Sequence, residues 1–134
     1  MPSFRRILSL VLGSALAGYA CLVALVFAMQ ERFIFPAPSP AETPTLTAPG
    51  RLLHTGTQAG ECVAAWLPPP DQSAPVVVFF HGNGEQLSDV IGWSEALQHR
   101  GVGVLAAEYP GYGLCGGTIS EDGIYAAAEA ALRH

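Results

Sequence analysis

His81-Gly82-Asn83-Gly84 are the residues best suited to chemistry in this sequence. They follow the apolar run Val76-Val77-Val78-Phe79-Phe80 directly, so a strand is predicted to end in a glycine-rich turn. A turn of this kind can aim backbone N–H groups at an oxygen that becomes negative when a carbonyl is attacked. Asn83 and Gly84 are the candidate donors. The competing reading is a plain strand-to-helix turn; the strand before it and the helix after it favour the oxyanion reading. Glu85 reads as a solvated acid at a helix start.

Such a site needs a nucleophile, and two stretches imitate one. Gly92-Trp93-Ser94-Glu95-Ala96 fits G-x-S-x-[GA]. Ser94, however, falls inside a helical pattern near its apolar stripe, with no strand before it. A nucleophile elbow projects its serine from a sharp strand-to-helix turn. Gly113-Leu114-Cys115-Gly116-Gly117 fits G-x-C-x-G, between a strand and a helix. The stretch from Tyr109 to Ser120 is too long for an elbow, and a thiol needs a base to become thiolate. His54, His99 and His134 have no evident acidic partner. Neither Ser94 nor Cys115 is assigned as nucleophile.

Around these residues the pattern alternates strand and helix. Val76–Phe80 is apolar on both faces, as a central parallel strand would be. Leu87, Val90, Ile91, Ser94 and Leu97 follow at helical spacing, and Gly101 sits where a helix C-terminus favours a left-handed residue. Residues 102–107 read as a second buried strand, and 110–117 as a glycine-rich loop. Ser120 then caps a last helix whose first turn holds Glu121 and Asp122. Ile124, Ala128, Ala131 and Leu132 are its predicted buried stripe. Upstream, Arg51–His54 and Cys62–Leu67 read as two short strands. The alternation predicts right-handed crossovers and a parallel sheet. Glu108, at a strand's C-terminal end, either lines a ligand site or caps the neighbouring loop. Trp66 and Trp93 read as packing residues, His54 and His99 as surface residues.

The first quarter of the chain is different. Ile7 to Met29 is a run of 23 residues without charge or strongly polar side chain. As a helix it would span about 34 Å, against a hydrocarbon core of about 30 Å. Arg5 and Arg6 precede it, which by the positive-inside rule places the N-terminus in the cytoplasm and the rest outside the cell membrane. The alternative, a cleavable signal peptide, has a shorter apolar core of about 7–15 residues. The predicted organisation is a cytoplasmic segment 1–6, a transmembrane anchor 7–29, a Pro-rich linker 30–50 and a domain 51–134. Proline at this density predicts an extended spacer. From Phe33 onward three Arg face ten acids, which argues against nucleic acid or an anionic membrane surface as partner. Cys21, Cys62 and Cys115 have no metal-ligand spacing, and no cofactor is expected. Cys62 and Cys115 are read as separate buried thiols, with a disulfide as the alternative if the domain is extracytoplasmic.

Phe33–Pro36, His81-Gly82-Asn83-Gly84, Tyr109-Pro110-Gly111-Tyr112-Gly113 with Gly117, and Ser120-Glu121 with Gly123 and Tyr125 resemble one family in order and spacing. The chain resembles the N-terminal part of membrane-anchored α/β-hydrolase-fold proteins, close to the abhydrolase-domain and serine-aminopeptidase-like hydrolases. The resemblance implies an incomplete α/β-hydrolase fold with a mostly parallel sheet. It implies metal-free hydrolysis of a small acyl ester, thioester, lipid or peptide through a serine acyl-enzyme. Asn83 matches the family's oxyanion position better than Gly84, and His81 shapes the loop without joining a catalytic triad. Cys115 stands where the family usually has Ser, and Ala127 where it often has Asp; neither position is catalytic there. The family's nucleophile, acid and histidine come later, and the strand leading to the nucleophile packs beside the counterpart of Val76–Phe80. Without that strand an apolar edge would be uncovered, an aggregation hazard. The expectation is therefore a fragment or truncated product carrying half of an oxyanion hole and inactive alone. The alternatives are a noncatalytic membrane-tethered remnant or binding module, and one half of a two-chain hydrolase.

Overall fold

The computed structural model describes residues 3–47, 49–57 and 60–134. The chain divides into two compact units, one ending at Ile34 and one beginning at Phe35. The first is a single helix, α1 (Phe4–Ile34), with no buried residue. Its mean hydropathy reaches 2.3, and it is long and apolar enough to cross a membrane. The helix runs past both ends of the expected 7–29 segment, because residues 30–34 carry no proline to stop it.

The second unit is an α/β layer structure around a four-stranded sheet. In chain order its elements are β1 (Arg51–Thr57), β2 (Gly60–Leu67), β3 (Val76–Phe80), α2 (Leu87–Gln98), β4 (Gly103–Ala107) and α3 (Glu121–Leu132). The strand order is β1-β2-β4-β3. Only β3 and β4 are parallel; β1–β2 and β2–β4 are antiparallel. This corrects the expectation of a mostly parallel sheet. The hairpin β1–β2 supplies half of the strands, and its short connection forces antiparallel pairing.

β3 is also not central. Among the described residues its only ladder partner is β4, so it forms the sheet edge. Val76, Val78 and Phe80, which share one face, are 44, 38 and 43% exposed. Their apolar character is that of a strand with two neighbours and two covered faces, although one side has neither here.

Period-two alternation divides the sheet into two faces. Ala65, Leu67, Val104 and Ala106 pack with Leu87, Val90 and Ile91 of α2. Ala64, Leu105 and Ala107 pack with Ala131 of α3 and with the half-buried Leu53 and Trp66. Trp93 of α2 meets Phe79 edge-on, with ring centroids 4.3 Å apart. Gly101, at φ +87°, ends α2 in the left-handed conformation, and Ser120 Oγ accepts the Gly123 N–H 3.1 Å away to start α3.

Two further expectations change. The buried stripe of α3 is Gly123, Ala127, Ala130 and Ala131, with Leu132 58% exposed. Small residues let the helix axis come close to an alanine-lined sheet, so the helix turns its alanines inward. Of the predicted stripe, only Ala131 is buried. The Pro-rich stretch is not a bare spacer either. Glu42 N–H donates to Gln86 Oε1 (3.0 Å), and Thr47 donates through N–H and Oγ1 to Glu95 Oε1 (2.8 and 2.7 Å). Pro44 is buried and Leu46 packs on the core. Prolines keep this strap extended in the unfolded chain, so ordering it costs less entropy.

The α3 orientation is open to a direct check. Ala131→Leu is expected to destabilise the second unit by about 1–3 kcal/mol through overpacking, while Leu132→Ala stays within about 0.5 kcal/mol. Urea denaturation followed by Trp66 and Trp93 fluorescence reads both, and the reverse order would refute the assigned face.

Candidate active site

The site is built at the C-terminal ends of the parallel pair β3 and β4. His81 follows β3 and Glu108 follows β4. Both are buried, at 5 and 1% exposure. Their side chains meet at 2.6 Å, Nε2 to Oε1. The other carboxylate oxygen accepts the Leu87 N–H at the first residue of α2, 3.0 Å away. Glu108 therefore ties the strand side of the turn to its helix side. A buried carboxylate without partners costs several kcal/mol, so both bonds are needed to keep it there.

Within the turn, the Glu85 carboxylate accepts the Gly82 N–H at 2.7 Å, and Glu85 N–H donates to Gly82 O at 3.2 Å. Residues 82–85 are thus closed on themselves and exposed at the sheet's C-terminal end. Glu85 is more than a solvated helix-start acid, since it holds the turn's first amide. The following Gln86 N–H goes to Asp89 Oδ2 at 2.9 Å. Asn83 and Gly84 lie together on the exposed crest between these anchors.

The Tyr109-Pro110-Gly111-Tyr112-Gly113 loop holds the crest from the β4 side. Tyr109 Oη donates to His81 O (3.0 Å), and Tyr112 Oη donates to Asn83 Oδ1 (3.2 Å). The His81 ring packs against Tyr109, with centroids 4.2 Å apart. Gly113, at φ +45°, is required here because a Cβ would strike the Glu108 carboxylate. Burial, and then the neighbouring Glu108 carboxylate, push the Tyr109 phenol up to about 12. The same two causes raise Tyr112.

The two nucleophile imitations are explained by their surroundings. Ser94 is fully buried inside α2 and donates to Val90 O, 2.7 Å away. Cys115 is bonded to Cys62, with Cα atoms 4.2 Å apart. That disulfide corrects the expectation of two separate thiols and removes Cys115 as a thiolate. Its partners come together because β2 and the glycine-rich loop are adjacent: Gly116 N–H donates to Glu61 O at 3.0 Å. His54 and His99 are exposed. Among the described residues, no cluster of His, Cys, Asp or Glu is placed to hold a metal ion.

Sequence reasoning left the role of Glu108 open and missed those of Tyr109 and Tyr112. One signal was available: an acid closing an otherwise apolar strand, directly before two tyrosines. A cleft of about 710 Å³ lies elsewhere, between the end of β1 and α3, lined by Thr57, Ser120, Asp122 and Glu129 among others. No residue of the 81–85 turn borders it.

No family model matches the chain. Two uncharacterized proteins from strains of Mycobacterium tuberculosis are each 32% identical over 114 residues, which is 82% of this chain and 41% of theirs. The chain thus matches less than half the length of these curated relatives. Among solved structures, a protein of unknown function from Agrobacterium tumefaciens, proposed to be an α/β-hydrolase, aligns with a TM-score of 0.54. That likeness is 21% identical and covers 62% of this chain and 41% of that one. An α/β serine hydrolase without a lid from Xanthomonas campestris aligns with a TM-score of 0.51 at 20% identity, over 68% and 46%. At these identities the likeness defines the fold alone: the second unit has an α/β fold of the hydrolase type.

The raised Tyr109 group has a pH consequence. Its folded pKa lies above the unfolded value of 10.0, so its contribution is complete below pH 10 and falls as pH rises through 10 to about 12. Denaturation midpoints measured across pH 9–12 are expected to drop in that window. The part of the drop due to Tyr109 disappears in Tyr109→Phe; an unchanged slope would refute the assignment.

Proposed function

We propose that the second unit carries the oxyanion arm of a serine-type acyl hydrolase and that α1 tethers it to a membrane. The observation behind this reading is the crest Asn83–Gly84, locked at the C-terminal end of a parallel strand by Glu108, Glu85 and Tyr112. Preorganised backbone donors at such a place lower the barrier to acyl transfer without reorganising during the reaction. In this reading Asn83 supplies the principal N–H and Gly84 is the alternative donor. The substrate is a small acyl ester, a lipid or a peptide. The nucleophile, acid and catalytic histidine are supplied from outside residues 1–134, as the greater length of the Mycobacterium relatives allows. The exposed edge of β3 supports a further strand beside it, contributed by the same polypeptide or by a second one.

The tether reading rests on the length and apolarity of α1. The outward orientation rests on Arg5 and Arg6 before the apolar run and on the Cys62–Cys115 disulfide, which persists in oxidising compartments.

Residues 1–134 purified in detergent are expected to leave a p-nitrophenyl acyl ester at its background rate and to take up no fluorophosphonate, by intact mass. Turnover abolished by Ser94→Ala would overturn this. In intact cells, a tag after His134 is expected to react with membrane-impermeant reagents and a tag before Met1 only after permeabilisation. The opposite pattern would reverse the orientation.

A further inference from the structure

We propose that the Cys62–Cys115 disulfide is a redox-sensitive element that sets the order of the 82–87 turn by way of Glu108. The disulfide joins β2 to the glycine-rich loop across 53 residues of sequence. One sulfur sits against the backbone of Glu108, the other against that of Val63 in β2. Cys62 Sγ lies 3.4 Å from Glu108 O, and Val63 N–H points to Cys115 Sγ at 3.4 Å. Between these contacts, Glu108 N–H donates to Val63 O at 3.0 Å. The Glu108 side chain then reaches His81 at one end of the turn and Leu87 N–H at the other. These five contacts form a continuous path from the sulfur pair to both anchors of the crest.

The rest of that path has little slack. Glu108 is 1% exposed, Cys62 2% and Cys115 7%, so a shift of the loop cannot be absorbed by solvent. Gly113 allows the loop to pass beside the carboxylate without a side chain between them. Tyr112 ends the same loop segment on Asn83, so the loop holds the crest by a second arm. Cys115 N–H donates to Tyr112 O at 2.8 Å, which ties the Cys115 backbone to that arm.

Reduction takes two electrons and two protons from a dithiol, which closes to its own cyclic disulfide and leaves Cys62 and Cys115 as thiols. The loop then keeps Gly116 N–H on Glu61 O but loses its covalent tie. The crest relaxes with it, while α2 beyond its first turn keeps its own packing. This inference concerns the order of the turn and stands whether or not the turn binds an oxyanion.

The test uses the full 134-residue chain in detergent. Alkylation under denaturing conditions, read by intact mass, is expected to modify Cys21 alone in the air-oxidised protein and all three cysteines after dithiothreitol. Amide hydrogen exchange is then compared in the two states. Residues 82–87 and 109–116 are expected to exchange about tenfold or more faster on reduction, with residues 92–98 unchanged and protection restored on reoxidation. Cys21→Ser is expected to respond identically. Three alkylated cysteines in the oxidised protein would overturn the proposal. So would an unchanged turn, or an equal loss of protection across the whole second unit, which would make the disulfide a staple of the fold only. A different response in Cys21→Ser would overturn it as well.

Discussion

The carboxylate of Glu108 is withdrawn from water, and its surroundings are arranged to make that possible. An ionised group in such a place is tolerated only when its oxygens are satisfied. Here one oxygen meets the His81 ring and the other meets the first amide of α2. That second bond fills one of the helix's orphan N-terminal donors and lies at the positive end of its dipole. Three element ends, those of β3, β4 and α2, are thereby fixed to one side chain. Gly113 has no side chain because the carboxylate occupies its place, and Tyr109 and Tyr112 close over the same point.

The distribution of donors shows how the turn stays both exposed and ordered. Loops at a surface usually trade backbone bonds for solvent. In this turn the Gly82, Gln86 and Leu87 amides are each directed to a carboxylate, from Glu85, Asp89 and Glu108 respectively. Two of these acids lie in the turn and the first turn of α2, and the third reaches in from the end of β4; each is held by an N–H at or near the start of the helix. The Pro-rich strap adds a further support, since Gln86 also engages Pro40 and Glu42.

Much of this organisation was legible in the sequence. Val76–Phe80 was delimited because an apolar run ends at His-Gly, and α2 because its apolar spacing and Gly101 agree. Ser120 was readable as a cap because a short hydroxyl precedes two acids. The pairing of strands was not legible, since the same alternation suits parallel and antiparallel neighbours until connection lengths are weighed. The face of α3 was misjudged because hydrophobicity ranks Ile and Leu above Ala, whereas close packing selects for size. The Cys62–Cys115 bond was readable only as the less favoured alternative, because its partners are 53 positions apart and only the tertiary path of the loop joins them. At the candidate site, the His-Gly-Asn-Gly motif was plain, but the buried acid that holds it was ambiguous. A lone Glu at a strand end does not reveal from sequence which way it points.

The alanines that line this sheet affect how the fold responds to temperature. Ala64, Ala65, Ala106, Ala107, Ala127, Ala130 and Ala131 are all buried. Each gives up almost no rotamer freedom on folding, and each removes less apolar area from water than leucine or phenylalanine would. The heat-capacity change of unfolding scales with that area. An alanine-lined interior therefore gives a flatter stability curve than a leucine-rich one of equal length, with less to lose on cooling and a shallower maximum.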